Sequence, residues 1–278
     1  MKRPAGAAGS IQWLYAAPAL LLMGLVSVVP IGQTFTMAGG FDRIGGDATL
    51  WRVLRNTGFF TFWTVSLELV LGLAIAMLLT RPFPGRGFVR AAVLIPWALP
   101  TAIMAMAWRW IFNSEYGVMG DLLFKLHLVA SPNIPWLAAP GPAMFACIFA
   151  DVWKTTPFMA ILLMSGLAAI PKDLYEAAGI DGAGPVKQFF IITWPMLKPT
   201  IALAVLFRAI QSFGVFDLIY VLTGGGPGGR TQTIALYIYD IVFRYQEMAY
   251  GCAVTLVMAG CLCLFAGGLF LLLRPRSA

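Results

Sequence analysis

Leu174-Tyr175-Glu176-Ala177-Ala178-Gly179-Ile180-Asp181-Gly182-Ala183-Gly184-Pro185, continuing to Ile192-Thr193-Trp194-Pro195, is the longest polar interval between two strongly apolar segments near the middle of the chain. Pro171 suits the first turn of a helix, and Asp173 stands where the positive end of a helix dipole favours an acid. Lys172–Ile180 is therefore expected to form a short amphipathic helix, with Leu174, Ala177, Ala178 and Ile180 facing inward and Glu176 outward. Asp181-Gly182 should end it, because glycine accepts backbone angles closed to other residues. Pro185 then starts a second helix that leads into the next apolar run. Local physics alone leaves two roles open: an amphipathic loop lying on a lipid surface, or one held by a partner outside the membrane.

The composition places this interval beside a bilayer. The 278 residues are 60% hydrophobic and only 11% charged, against about 25% charged in soluble domains. Mean hydropathy is +0.82. Six segments reach the roughly 20 apolar residues that a spanning helix needs: about 11–37, 57–80, 88–112, 142–170, 199–222 and 249–273. The reading is an all-α membrane protein of six transmembrane helices, with a 1–10 tail, a core over 11–273 and a 274–278 tail. Lys2 and Arg3 before the first segment are reminiscent of a signal peptide, but its apolar run far exceeds the ~7–15 residues of a signal core, so a retained helix is expected. Pro18 and Pro30 suggest kinks in it.

The net charge of +7 is unevenly spread. With the N-terminus inside, one side collects Lys2, Arg3, Arg81, Arg86, Arg90, Lys172, Lys187, Lys198, Arg274 and Arg276 against only Asp173, Glu176 and Asp181. The other side holds seven cations against six acids. Positive loops face the cytoplasm, which puts the 171–195 loop and both termini there and argues for a lipid partner, not nucleic acid. Cys147, Cys252, Cys261 and Cys263 lie in apolar runs without zinc spacing, and His127 is the sole histidine, so no disulfide or metal is assigned.

Ionisable residues within spans are costly and mark cavities or partners. Glu68 falls near the middle of span two. Asp151 and Lys154, three apart on span four, are expected to pair with each other. Arg208, Gln211 and Ser212 share a face of span five near the bilayer midplane, with Phe213, Phe216 and Tyr220 close by as apolar ring partners. Asp217 lies opposite that face if the helix is straight, although Gly214 can break it. This group is the candidate solute path; the competing reading pairs Arg208 with Glu68 as a structural tie. Nothing here forms a catalytic site, and no Gly-Lys-Ser/Thr ending accompanies the glycine run Thr223-Gly224-Gly225-Gly226-Pro227. The 113–142 loop, rich in Gly and Pro, is expected to be a folded lid more than a helix.

Glu176-Ala177-Ala178, with Gly182 six positions after the Glu and then Ile192 and Pro195, resembles the EAA loop of ABC importer permeases; Trp194 stands where that family usually has Leu. Arg90–Pro100 with Trp108-Arg109-Trp110-Ile111-Phe112-Asn113, Trp153–Phe158, and Phe216–Pro227 with Thr231 and Tyr239 are similar to sugar permeases of the MalF type. The resemblance implies a type I importer core whose cytoplasmic coupling helices, through Glu176, Ala177, Ala178, Asp181, Gly182, Ala183 and Pro195, engage a separate ATPase. It further implies a second homologous permease, two ATP-binding subunits, an extracytoplasmic solute-binding protein and a prokaryotic inner-membrane location. No cofactor belongs to this chain, ATP being used by the partner. The glycine run Thr223–Pro227 becomes a fixed outer-gate element near the binding protein. Carbohydrate is the implied solute, with polyols and glycerol-phosphate as close variants. The alternative from another class is an ion-coupled secondary transporter using Glu68, Asp151 and Asp217, although no inverted repeat is visible.

The charge asymmetry makes a direct prediction. In a background lacking the four native cysteines, Asn133→Cys should react with an impermeant maleimide in intact cells and Asp181→Cys should not; labelling at 181 would reverse the orientation.

Overall fold

The computed structural model describes Ala7–Leu273. Of the two expected tails, residues 1–6 and 274–278 lie outside the described residues, and residues 7–10 already belong to the first helix. Among the described residues every regular element is helical. Five helices are long and apolar enough to cross a membrane, or six if one sharply bent pair counts as a single span.

The chain divides into two compact units. One comprises the chain up to Asp47 with Ile238–Gly260. Its α1 (Ala7–Met37) runs through Pro18 and Pro30, and no residue of its Tyr15–Met37 window is buried. After the short α2 (Phe41–Ile44), a polar clasp closes the unit. Arg43 pairs with Glu247 at 2.5 Å and lies over the Tyr250 ring, while the Tyr250 hydroxyl donates to Asp47 Oδ2 at 2.5 Å. Gly39 N–H donates to the Ala249 carbonyl in the first part of the last described helix (Met248–Leu273).

The other unit, Ala48–Tyr237 with the chain from Cys261 on, holds the core. Its frame is α3 (Ala48–Thr80), α7 (Pro140–Ala168) and α10 (Trp194–Phe213). Val65 and Ala76 from α3, Met159 and Leu163 from α7, and Leu197, Ala204 and Ala209 from α10 form one buried cluster. Small residues let these helices approach closely, as membrane interfaces require. A Cβ on Gly72 would lie 2.7 Å from Met159 Cγ, and one on Gly166 would lie 2.6 Å from Thr200 Oγ1. The hydroxyls of Thr57, Thr64 and Thr156 each donate to the carbonyl four residues earlier, so they are satisfied inside their own helices.

Three expected elements change. The segment expected as one span over 88–112 is two helices, α4 (Arg86–Ala98) and α5 (Thr101–Ile111), bent by 91°. Pro100 lacks an N–H and crowds the residue before it, so Leu99 is extended (φ −72°, ψ 137°) and the helix stops. The segment expected over 199–222 likewise ends at Phe213; Gly214 caps it, and α11 (Asp217–Leu222) is a separate helix. The 113–142 loop contains a true helix, α6 (Val118–Lys125). Span two also begins earlier than expected, at Ala48 instead of residue 57.

The close approach of α7 and α10 can be tested. Gly166→Val forces a side chain into Leu197 and Thr200 and is expected to cost about 1–3 kcal/mol, seen as a lower melting temperature in detergent. Gly58→Ala, where a Cβ would meet nothing within 4 Å inside α3, should not lower it.

Candidate functional site

Two features stand out, one inside the helical frame and one at its end. The first centres on Arg208, buried at 3% exposure, whose charge cannot stay in an apolar interior without partners. Its Nε donates to Glu68 Oε2 at 2.5 Å and its Nη2 to Glu68 Oε1 at 2.7 Å, a two-pronged pair of the kind that suits a planar guanidinium. The same Nη2 reaches Asp151 Oδ2 and Thr155 Oγ1, each at 3.1 Å, and Nη1 donates to Gln211 Oε1 at 2.9 Å. Thr155 Oγ1 also donates to Glu68 Oε1 at 2.5 Å. One cation thus ties α3, α7 and α10 together.

This cluster forms part of the wall of a cavity of about 280 Å³, also lined by Trp97, Thr101, Lys154, Gln211, Phe216 and Asp217. Lys154 Nζ donates to Thr101 Oγ1 at 2.7 Å. Both breaks lie at this space: Trp97 and Thr101 flank Leu99-Pro100, and Gly214, Val215, Phe216 and Asp217 follow the end of α10. The cavity offers amide, hydroxyl, carboxylate and ammonium groups beside the Trp97 and Phe216 rings. Such groups can hydrogen-bond hydroxyls and pack against an apolar ring face.

The second feature is the polar interval between α7 and α10. α8 spans Lys172–Ile180, residue for residue as expected, and begins after an extended Pro171. Gly182 follows with φ +75°, a left-handed conformation that closes the turn. Ala183 N–H donates to the Ala178 carbonyl at 2.8 Å, and Ala183 is buried. The chain then enters α9 (Pro185–Gln188), a π-turn over Phe189–Thr193, and α10. Gln188 Nε2 donates to the carbonyls of Ala183 (3.0 Å) and Tyr175 (3.3 Å), and the Tyr175 hydroxyl bonds that of Thr193 at 2.8 Å. These side chains fasten α8 to the start of α10.

The expected inward face of α8 is not there. Leu174 is exposed and Ile180 is 88% exposed, because no other described part of the chain lies over them. Glu176 and Asp181 are exposed too.

Residues 68–278 match the family of binding-protein-dependent transport system inner membrane components. The chain belongs to that family. It is 48% identical over 225 residues to the trehalose/maltose transport system permease protein MalF of Thermococcus litoralis, covering 81% of this chain and 75% of that one. The sulfoquinovosyl glycerol transport system permease protein SmoG of Agrobacterium fabrum is 37% identical over 88% of this chain and 84% of its own length. The fold agrees with that of a bacterial alginate ABC transporter solved with an alginate pentasaccharide-bound periplasmic protein. The TM-score there is 0.82 at 20% identity, over 95% of this chain and 94% of that one. Of the two transporter classes open from sequence, membership selects the binding-protein-dependent permease over the ion-coupled secondary transporter.

Within this family member, Arg208, Gln211, Phe216 and Asp217 meet at the cavity, so Asp217 is not opposite Arg208; the break at Gly214 brings it back. Ser212 instead bonds Thr64 Oγ1 at 2.8 Å as a helix–helix tie, Phe213 lines a separate apolar groove, and Tyr220 stacks on Phe216 at 5.3 Å. The expected Asp151–Lys154 ion pair does not form: Asp151 turns to Arg208 and Lys154 to Thr101. Sequence reasoning missed Trp97 and Thr101, although Pro100 beside them signals the break. The glycine run is pinned by its own bonds: Thr223 and Thr231 hydroxyls lie 2.7 Å apart, and Thr231 Oγ1 donates to the Gly226 carbonyl at 2.7 Å.

Removing one member of a buried ion pair costs roughly 3–5 kcal/mol, because the other charge is stranded. Arg208→Met should therefore strongly reduce the folded yield in detergent. Pairing it with Glu68→Leu should recover part of that loss, Asp151 remaining to be protonated. Equal loss in the single and double variants would show that the pair is not the tie.

Proposed function

We propose that this chain is one of two homologous permease subunits of an ATP-driven importer that moves carbohydrate into the cell. A solute-binding protein delivers the sugar from outside, and two ATP-binding subunits sit on the cytoplasmic side, where both termini of this chain also lie. ATP is bound and hydrolysed by those subunits, and this chain needs no cofactor of its own. The observation that carries the reading is the cavity at Arg208: a polar, aromatic-edged space inside a helical frame that is otherwise apolar, in a relative of a trehalose/maltose permease. At about 280 Å³ it lies at the lower end for ligand pockets, which suits half of a site completed by the second permease.

The coupling surface is α8 with the Gly182 turn. Leu174, Glu176, Ala177 and Ile180 stand exposed on a helix fastened from behind by Gln188 and Tyr175, as a docking knob requires. Ala178, Asp181, Ala183 and Pro195 shape the turn and its exit. The pinned Thr223–Pro227 loop serves as the outer-gate element on the opposite side.

Gly182→Val separates coupling from folding. A Cβ there meets nothing within 4 Å, so the substitution strains only the backbone, by about 1–2 kcal/mol. In proteoliposomes holding the full importer, ATP-driven uptake of maltose or trehalose should fall at least about tenfold while membrane insertion stays normal. Wild-type uptake in the variant would remove the turn from the mechanism. Absence of uptake of either sugar by the wild-type complex, with another solute carried, would overturn the carbohydrate assignment alone.

A further inference from the structure

The charged groups at the solute cavity are unequally engaged. Glu68 and Asp151 share the single guanidinium of Arg208, leaving one negative charge over, and Lys154 beside them offsets it. Asp217 lines the same cavity, is exposed, and forms no ion pair with any described residue; Lys154 acts on it only through space. Glu68 is fully buried behind the lining, and of the four ionisable groups that do line the cavity Asp217 is the acid left without an ion pair among the described residues.

The strongest anion receptor present is also buried and mostly engaged. Arg208 Nε, Nη1 and Nη2 all donate to Glu68, Asp151, Thr155 or Gln211. A carboxylate, sulfonate or phosphate on a solute would have to shed its water in a site of reduced dielectric and face an uncompensated acid. A neutral polyol carries no such penalty. Its hydroxyls donate to Asp217, a charge-assisted bond that is stronger than a neutral one, and accept from Lys154.

We propose that this cavity selects neutral polyhydroxylated solutes over anionic ones, with Asp217 as the residue that sets the charge selection. The inference rests on the cavity being the solute path. It separates this chain from relatives and structural neighbours named for acidic or sulfonated cargo, whose overall fold it shares.

The test reads the local potential directly. Val215→Cys, at the cavity wall, is placed in the complete importer after replacing Cys147, Cys252, Cys261 and Cys263. Its modification rates by cationic trimethylammonium-ethyl and anionic sulfonato-ethyl methanethiosulfonates are then compared with those of free cysteine, in nucleotide-free and vanadate-trapped complexes. The cation-to-anion rate ratio should exceed that of free cysteine by about 3–10-fold, the effect of one nearby charge in a partly watery site. Asp217→Asn should abolish the excess and Asp217→Lys should reverse it. A ratio equal to that of free cysteine overturns the proposal, and an excess that survives Asp217→Asn overturns the role of Asp217. Should the Asp217 variants fail to assemble, the ratio in Val215→Cys alone decides. If neither reagent reaches Val215→Cys in either state while Asn133→Cys reacts, the cavity is not on the aqueous path, and the solute-path reading itself falls.

Discussion

The guanidinium of Arg208, held by Glu68 and Asp151, is the constraint on which the rest of the frame depends. In an apolar interior a lone cation is expensive, and a lone acid equally so. Each of the three helices contributes a charge that has no acceptable alternative arrangement, so the pair fixes how α3, α7 and α10 turn toward one another. Apolar packing alone would not: Val65, Met159, Leu163 and Leu197 tolerate small rotations, because lipid is as good a neighbour as another helix. The Thr64–Ser212 bond repeats the same fastening a turn away.

The cavity follows from that constraint. Where three helices are tied by polar groups, breaks at Leu99-Pro100 and at Gly214 leave unfilled space beside them instead of collapse. The same helix then connects the cavity to the segment that carries α8. From Thr193, bonded to Tyr175 of α8, to Arg208 is fifteen residues, or about 22 Å of α-helical rise. Gln188 and Tyr175 make α8 and the start of α10 one mechanical piece, with the π-turn between them. In the proposed coupling, a displacement of α8 is carried along α10 to the residue that lines the cavity.

Much of this was legible in the sequence, for reasons that differ by element. Pro171, Asp173 and Gly182 are local punctuation, and they bounded α8 correctly at both ends. Hydropathy located the spans because length and apolarity suffice for that. It is blind to direction, so the 91° bend at Leu99-Pro100, embedded in an unbroken apolar run, passed as a straight helix. Short spacing misled at Asp151, where Lys154 is the near neighbour in sequence but Arg208, 57 residues away, is the near neighbour in space. The inward assignment of Leu174 and Ile180 failed because an amphipathic pattern says that a face will be covered, not that the same chain covers it. The Arg208–Glu68 tie and the cavity, read from sequence as rivals, are parts of one arrangement.

The most direct test is a cryo-electron microscopy structure of the assembled importer with maltose or trehalose trapped between open states. The account places sugar density within hydrogen-bonding reach of Gln211, Lys154 and Asp217, with a ring face against Trp97 or Phe216. Density confined to the second permease, with this cavity closed by its own side chains, would contradict it.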